Sequence, residues 1–243
     1  MVKISNRLKM AASFVTEGYT LADVGTDHGY VPIYLLQQKK IPSAIAMDIK
    51  EGPLLRAKEH IALYGLNKYI QTRLSDGVAA LKPGETDAIL IAGMGGGLVM
   101  HILKDGSGVC HNAKELILQP QSELEHVRAF LRQEGYEILA EEMVLEEGKF
   151  YPMMKVCYTG TFSTQDNVEL LKLSDLYGGL LLKNRHPVLK TYLEKEQKIL
   201  FDIQSNLKKQ PESEKISARL QEVEEALRFN QIAVETYFKP EIR

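Results

Sequence analysis

Over the first 160 residues, short apolar runs alternate with stretches whose apolar positions recur at helical spacing. The runs are Thr20–Val24, Ser43–Met47, Ile70–Leu74, Asp87–Ala92 and Glu115–Leu118, and they give way to Gly25, Asp48, Ser75-Asp76, Gly93 and Gln119. A short, continuous apolar run closed by a turn residue and followed by a helical stretch is the mark of a strand buried on both faces. Five such units predict an α/β fold with a mostly parallel, Rossmann-like sheet covered by helices on both faces. The pattern then changes. Tyr136–Leu145 and Phe150–Tyr158 read as two strands joined by Glu146-Glu147-Gly148-Lys149, an antiparallel hairpin that closes the sheet.

Thr159–Thr164 reads as a linker, and the chain beyond it is helical. Pro187 suits the first turn of a helix running to about Lys209. Gln210-Pro211-Glu212-Ser213 makes a turn, and a second helix runs to about Tyr237. Ile216, Leu220, Val223, Leu227 and Val234 follow a four-then-three spacing with Asn230 in the remaining slot, and Leu189, Leu193, Leu200, Ile203 and Leu207 form a matching stripe. Together they predict an antiparallel, coiled-coil-like helical hairpin, with Asn230 either fixing its register or merely tolerated near a frayed end. The expected division is residues 1–160 as one domain and 165–243 as the other.

Composition narrows the class. The 243 residues are 44% hydrophobic and 26% charged, ordinary for a globular protein with a sizeable core. The net charge of −2 excludes a uniformly basic binder. Two cysteines, Cys110 and Cys157, without a CxxC leave no basis for a disulfide framework or a cysteine metal site, and no metal is expected. The opening residues lack a signal-peptide core, and Ala88–Met100 is too short and too glycine-rich to span a bilayer. A soluble cytoplasmic protein with no membrane partner is the expectation. The oligomeric state stays open, a monomer included.

The chemistry gathers at the strand ends. The first strand runs into Asp23-Val24-Gly25-Thr26-Asp27-His28-Gly29-Tyr30, a glycine-containing turn before a helix, where α/β folds bind nucleotide-like ligands. A dinucleotide fingerprint needs glycine at 25, 27 and 30, and only Gly25 complies. Asp27 would repel a pyrophosphate. Asp23 and Asp27 instead suit a cationic ligand such as S-adenosylmethionine, whose carboxylate would go to free amides of the turn. A purely structural turn with helix-capping aspartates accounts for the same residues taken alone.

Two further acids weigh against that bland account. Asp48 ends the second strand, followed by Ile49, and suits a ribose diol; Asp76-Gly77 follow the third, and Asp76 suits an adenine amino group. The fourth strand ends in Gly93-Met94-Gly95-Gly96-Gly97, where close backbone approach and flexibility would face the transferred methyl. Gln119 ends the fifth and suits an adenine edge or a simple turn. The Asn/Asp-Pro-Pro-aromatic tetrad of amino-group methyltransferases is absent. Lys3, Arg7 and Lys9 stand in an N-terminal stretch without acids. Residues 172–209 carry eight Lys/Arg, among them Lys183, Arg185 and Lys190, against four acids, a net charge of +4. Such clusters are the footprint of a phosphate backbone, or simply a solvated helix face. The remaining histidines, 60, 101, 111, 126 and 186, show no metal-ligand spacing and read as surface or packing residues.

The Asp23–Pro32 turn, Gly93-Met94-Gly95-Gly96, Leu118-Gln119-Pro120 and the opening Ile4-Ser5-Asn6-Arg7-Leu8 resemble the bacterial TrmK family, tRNA methyltransferases acting on N1 of adenine 22. The likeness extends over the whole chain. It implies a class I methyltransferase fold, S-adenosylmethionine as cofactor and tRNA as partner. On that basis Asp23, Gly25, Asp27, His28, Gly29, Tyr30, Asp48, Ile49, Asp76, Gly77 and Gly93 are expected at the cofactor. Gly93, Met94 and Gln119 are expected at the transfer site, with His28 and Tyr30 as further candidates for orienting the base. Lys3, Arg7, Lys183, Arg185 and Lys190 are expected on the RNA. A methyltransferase of the same fold acting on a small molecule or protein, and a non-catalytic RNA-binding protein with a vestigial pocket, remain as alternatives.

Overall fold

The computed structural model describes residues 2–162, 167–211 and 213–239. The chain divides into two compact units, Met1–Asp166 and Asn167–Arg243. Residues 163 and 164 of the expected linker, Glu212 of the expected turn, and residues 165, 166 and 240–243 of the expected second domain lie outside the described residues.

The first unit is built on seven strands: β1 (Leu21–Val24), β2 (Ala44–Asp48), β3 (Ile70–Leu74), β4 (Ala88–Met94), β5 (Glu115–Pro120), β6 (Tyr136–Glu146) and β7 (Lys149–Tyr158). Their order is β3-β2-β1-β4-β5-β7-β6. The first five pair in parallel, while β7 runs antiparallel to both β5 and β6. Every residue of β1 and β5 is buried, as the unbroken apolar runs require of strands covered on both faces. Alternation sorts their side chains. Ala22, Val24, Ile89, Ile91, Leu116 and Leu118 enter one core, Leu21, Leu90 and Ile117 the other. The two-residue turn of the β6–β7 hairpin places Glu147 and Gly148 at φ 49° and 76°, the twist-matching geometry of a tight hairpin.

Helices α1 (Asn6–Phe14), α2 (Tyr30–Gln37) and α3 (Glu51–Leu63) carry residues of the second core, and α4 (Gly96–Asp105) and α6 (Leu124–Gln133) of the first; α5 (Ser107–Cys110) is one turn. The apolar pattern of the sequence does not single out α1. Ser5 caps its start by accepting from Leu8 N, and Lys40 and Lys155 donate to the carbonyls of Ala12, Ser13 and Phe14 at its end. Lys155 also pairs with the buried Glu115 at 2.6 Å, which ties the end of α1 to β5 and β7.

The second unit holds α7 (Val168–Tyr177), α8 (Gly179–Lys183), α9 (Pro187–Leu207) and α10 (Glu214–Ala233), the last extended by one π-helical turn, Val234–Phe238. Pro187 opens α9 as expected, and Ser213 caps α10. Asn230 donates to Leu193 O and to Glu196, while Gln204 bonds Glu224, so α9 and α10 pack antiparallel. Asn230 is fully buried in that seam, and Tyr177 and Tyr192 both donate to the same Glu196 carboxylate. These contacts favour the register-fixing reading of Asn230. No helix among the described residues is long and apolar enough to cross a membrane.

Candidate active site

Strand order reverses between β1 and β4: β2 and β3 lie to one side, β5 to the other. In an open parallel sheet the crevice at such a point, outside the carboxyl ends of the strands, is where ligands bind. A cavity of about 300 Å³ lies here, lined by Asp23, Gly25, Thr26, Asp27, His28 and Tyr30 from the β1 side, Ala92 and Gly93 from β4, Gln121, and Arg7 and Leu8 from α1. The strand order sets Asp76, Asp48, Asp23, Gly93-Met94 and Gln119 along one edge in that succession.

Asp23 is buried, and that burial, opposed by a hydrogen bond from Thr26 and reinforced by the Asp48 charge, pushes its carboxyl up to about 6. Such a group gains most from a cation brought into the cavity. Asp27 is placed differently. Its carboxylate is 61% exposed and already held by Arg56, with His28 Nε2 3.2 Å away, and the Arg56 hydrogen bond keeps its pKa low. Of the amides the turn was expected to offer, two are engaged within the protein. Gly25 N and Thr26 N both donate to Met47 O at 2.8 Å, because the chain curls back on β2 as it leaves β1. Those two amides are therefore closed to a ligand.

Gly25 has φ 77°, and a Cβ there would overlap the Met94 methyl. Gly93, at φ 81°, is exposed on the cavity beside Arg7 and Gln121. Gly96, within the run, serves packing. A Cβ on Gly96 would meet Ser122, Glu123 and Val127, and the amides of Gly96 and Gly97 donate to the Ser122 hydroxyl and the Glu123 carboxylate, which cap α4. Gln119 is fully buried; its Oε1 accepts from Arg7 Nη1 at 3.1 Å, and its Nε2 has no partner. Asp48 is half-buried and accepts from Lys50 N, Ile49 is exposed beside it, and Asp76 and Gly77 line a smaller cavity with His101 and Ile102.

Sequence reasoning missed Arg56 and His60, both on α3. The His28, Tyr30 and His60 rings lie 4.9–5.2 Å apart at interplanar angles of 11–30°, and His60 Nδ1 meets His28 O at 3.2 Å. Of the surface and packing readings open for His60, the structure shows packing, against His28 and Tyr30. The i,i+4 spacing of Arg56 and His60 on one face of α3 was the available signal. In the second unit, Lys183, Arg185 and Lys190 are exposed, with Glu194 4.0 Å from Lys190. Lys3 is exposed as well, whereas Arg7 is half-buried. No cluster of three or more His, Cys, Asp or Glu among the described residues is arranged to hold a metal.

The donor set fits S-adenosylmethionine better than a nucleotide phosphate. It offers successive carboxylates for hydroxyl, amino and ammonium groups and a side-chain-free Gly25, and among the described residues lining the cavity Arg7 is the one lysine or arginine. Comparison with known proteins gives the class: residues 4–154 match the methyltransferase domain family. A Bacillus subtilis tRNA (adenine(22)-N(1))-methyltransferase is 34% identical over 91% of this chain and 93% of its own. The crystal structure of the B. subtilis m1A22 tRNA methyltransferase TrmK superposes with a TM-score of 0.83 at 31% identity, covering 96% of this chain and all of that one. A Streptococcus pneumoniae structure, assigned as a tRNA (m1A22) methyltransferase and solved with S-adenosyl-L-methionine, has a TM-score of 0.81 at 33% identity, with 96% and 100% coverage. This chain belongs to the tRNA (adenine(22)-N1)-methyltransferase family.

Proposed function

We propose that this protein transfers a methyl group from S-adenosylmethionine to N1 of adenine 22 in tRNA. The observation that carries the reading is the 34% identity to a tRNA (adenine(22)-N(1))-methyltransferase over nearly the full length of both chains, with the acidic strand ends set at the switch point of the sheet. A tRNA substrate places the activity in the cytoplasm.

When bound, S-adenosylmethionine supplies a methyl activated by its sulfonium. Asp48 accepts hydrogen bonds from the ribose, Asp76 from the adenine amino group beside Ile49 and Gly77, and Asp23 takes the ammonium. His28, Gly29 and Tyr30 form the turn below. Gly93 and Met94 bound the transfer site, where the exposed backbone at Gly93 lets a base approach. The ring cluster of His28, Tyr30 and His60 offers π-faces to a base drawn out of its stack. Adenine N1 would use its own lone pair to take the methyl as the methyl–sulfur bond breaks and S-adenosylhomocysteine leaves; the positive charge passes to the base, and no proton has to leave. The site therefore needs no general base, and its residues act by positioning and by excluding water. Residues 1–160 supply this chemistry. Residues 165–243, through Lys183, Arg185 and Lys190, hold the tRNA backbone, with Lys3 adding a contact from the first unit.

The test uses S-adenosylmethionine with a labelled methyl and unmodified tRNA. Label should enter tRNA with the wild-type protein and fall at least tenfold with Asp48→Ala at limiting cofactor, in line with removal of a charged hydrogen bond. A folded, cofactor-binding protein that labels no tRNA contradicts the proposal.

A further inference from the structure

We infer that Gln121 selects adenine at the transfer site, by a pair of hydrogen bonds to the N6 and N7 edge of the target base. The inference rests on the adenine-N1 reading above and names the residue that tells this base from the others.

Methylation at N1 constrains how the base can be read. The Watson–Crick edge has to face the methyl, and a protein group set against N1 would block the reaction. The edge left for recognition carries the N7 acceptor and one hydrogen of the N6 amino group. A carboxamide matches that edge, its nitrogen donating to N7 and its oxygen accepting from the amino group. Guanine presents two acceptors there, and its O6 would meet the carboxamide oxygen. Among the described residues that line the cavity, Gln121 is the one carboxamide. Arg7 offers donors alone, and the ionised Asp27 acceptors alone.

Its place in the fold suits a substrate contact. The acids assigned to the cofactor, Asp76, Asp48 and Asp23, run from β3 to β1, and Gln121 follows β5 across the switch point, with Gly93 of β4 between. Gln121 Nε2 comes within 3.8 Å of where a Cβ on Gly93 would stand, so the carboxamide borders the backbone that a base can approach. The side chain is exposed, and no hydrogen bond to another described residue occupies it. Its backbone, by contrast, is pinned. Gln121 N donates to Met94 O at 2.8 Å, and the next two side chains, Ser122 and Glu123, accept from the amides of Gly96 and Gly97. A free amide on a fixed backbone at the end of β4 leaves little but its own rotamers to order on a base.

The inference is tested with the full-length protein on a pair of tRNAs, read as kcat/KM for methyl transfer. One carries adenine at position 22, the other 7-deazaadenine, which replaces N7 with C–H and keeps N1 and the amino group. Wild type should lose about three- to tenfold on the deaza base, the range of one hydrogen bond. Gln121→Ala should lose roughly ten- to a hundredfold on adenine, the range of a bidentate base contact. The same variant should treat the two bases alike within about twofold, because the partner of N7 is gone. Gln121→Glu keeps an oxygen for the amino group but sets a carboxylate against the N7 lone pair, so it should reverse the order and prefer the deaza base. Affinity for S-adenosylmethionine, measured by calorimetry, should be unchanged in both variants. A deaza loss that persists in full in Gln121→Ala belongs to folding of the tRNA and overturns the inference, as does a wild type that takes both bases equally. A fall in cofactor affinity that accounts for the lost rate would place Gln121 on the cofactor and overturn it too. A wild type that binds S-adenosylmethionine and methylates neither tRNA would sink the adenine-N1 reading itself.

Discussion

Asp23 sets the pH behaviour of the site. Its carboxyl titrates near 6 in the folded protein against 3.8 in the unfolded chain, because burial disfavours the charge. Between those values the folded state binds more protons, so stability of the ligand-free protein falls as pH rises from about 4 to about 6, by roughly 3 kcal/mol in all. Chemical denaturation across that range should show the loss, and Asp23→Asn should abolish it. Cofactor binding should run the other way. An ammonium needs the ionised acid, so affinity should drop about tenfold per pH unit below about 6 and level off above it. Titrations at pH 5, 6 and 7 that give one constant would remove Asp23 from the ammonium. The acids themselves were legible in the sequence, since a charged residue within or just beyond an apolar run stands out. Their states were not. Asp23 and Asp27 look alike on paper, and what separates them is the burial of the one and the Arg56 and His28 contacts of the exposed other.

Elements explain the glycine run and the reach of Arg7. Gly93 serves the cavity, but Gly96 serves the docking of α4 against the Ser122-Glu123 loop and Val127. Gly96→Ala should therefore destabilise by about 1–3 kcal/mol through overpacking, while Gly95→Ala, whose Cβ meets only Ser122 Oγ at 3.3 Å, should cost less. Equal effects in a denaturant series would contradict this division. The clamp on α1 makes a second prediction. Lys155→Met leaves the Glu115 carboxylate buried without its cation and should cost about 3 kcal/mol or more. Cofactor affinity should fall with it as α1 loosens. The inner parallel strands β1, β2, β4 and β5 were readable within a residue or two because burial on both faces writes a continuous apolar run, which the edge strand β3, with Gln71, Thr72 and Arg73, lacks. The helix α1 was not, since its role depends on partners such as Glu146 and Gln119, which lie 140 and 112 residues away. The short α7 and α8, broken at Gly178 (φ 90°), carry too few turns for a clear period.

In the whole molecule, the first unit is assigned the chemistry and the second a grip on tRNA. Replacing Lys183, Arg185 and Lys190 together with Glu should weaken tRNA binding and flatten its salt dependence, because a protein that neutralises fewer phosphates releases fewer counterions. Cofactor affinity should not change. A salt series indistinguishable from wild type would make this a solvated face. The hairpin was legible from its stripes, and so was its excess of lysines; what the lysines touch is not written in a charge count. The central claim is the identity and place of the methyl. It is tested most directly by treating a tRNA transcript with the protein and S-adenosylmethionine and mapping the product by reverse transcription and nucleoside analysis. N1 lies on the pairing edge, so synthesis should stop one nucleotide before position 22. The nucleoside should be 1-methyladenosine, and both signals should vanish when adenine 22 is replaced. N6-methyladenosine, or a stop elsewhere that survives the replacement, would contradict the assignment.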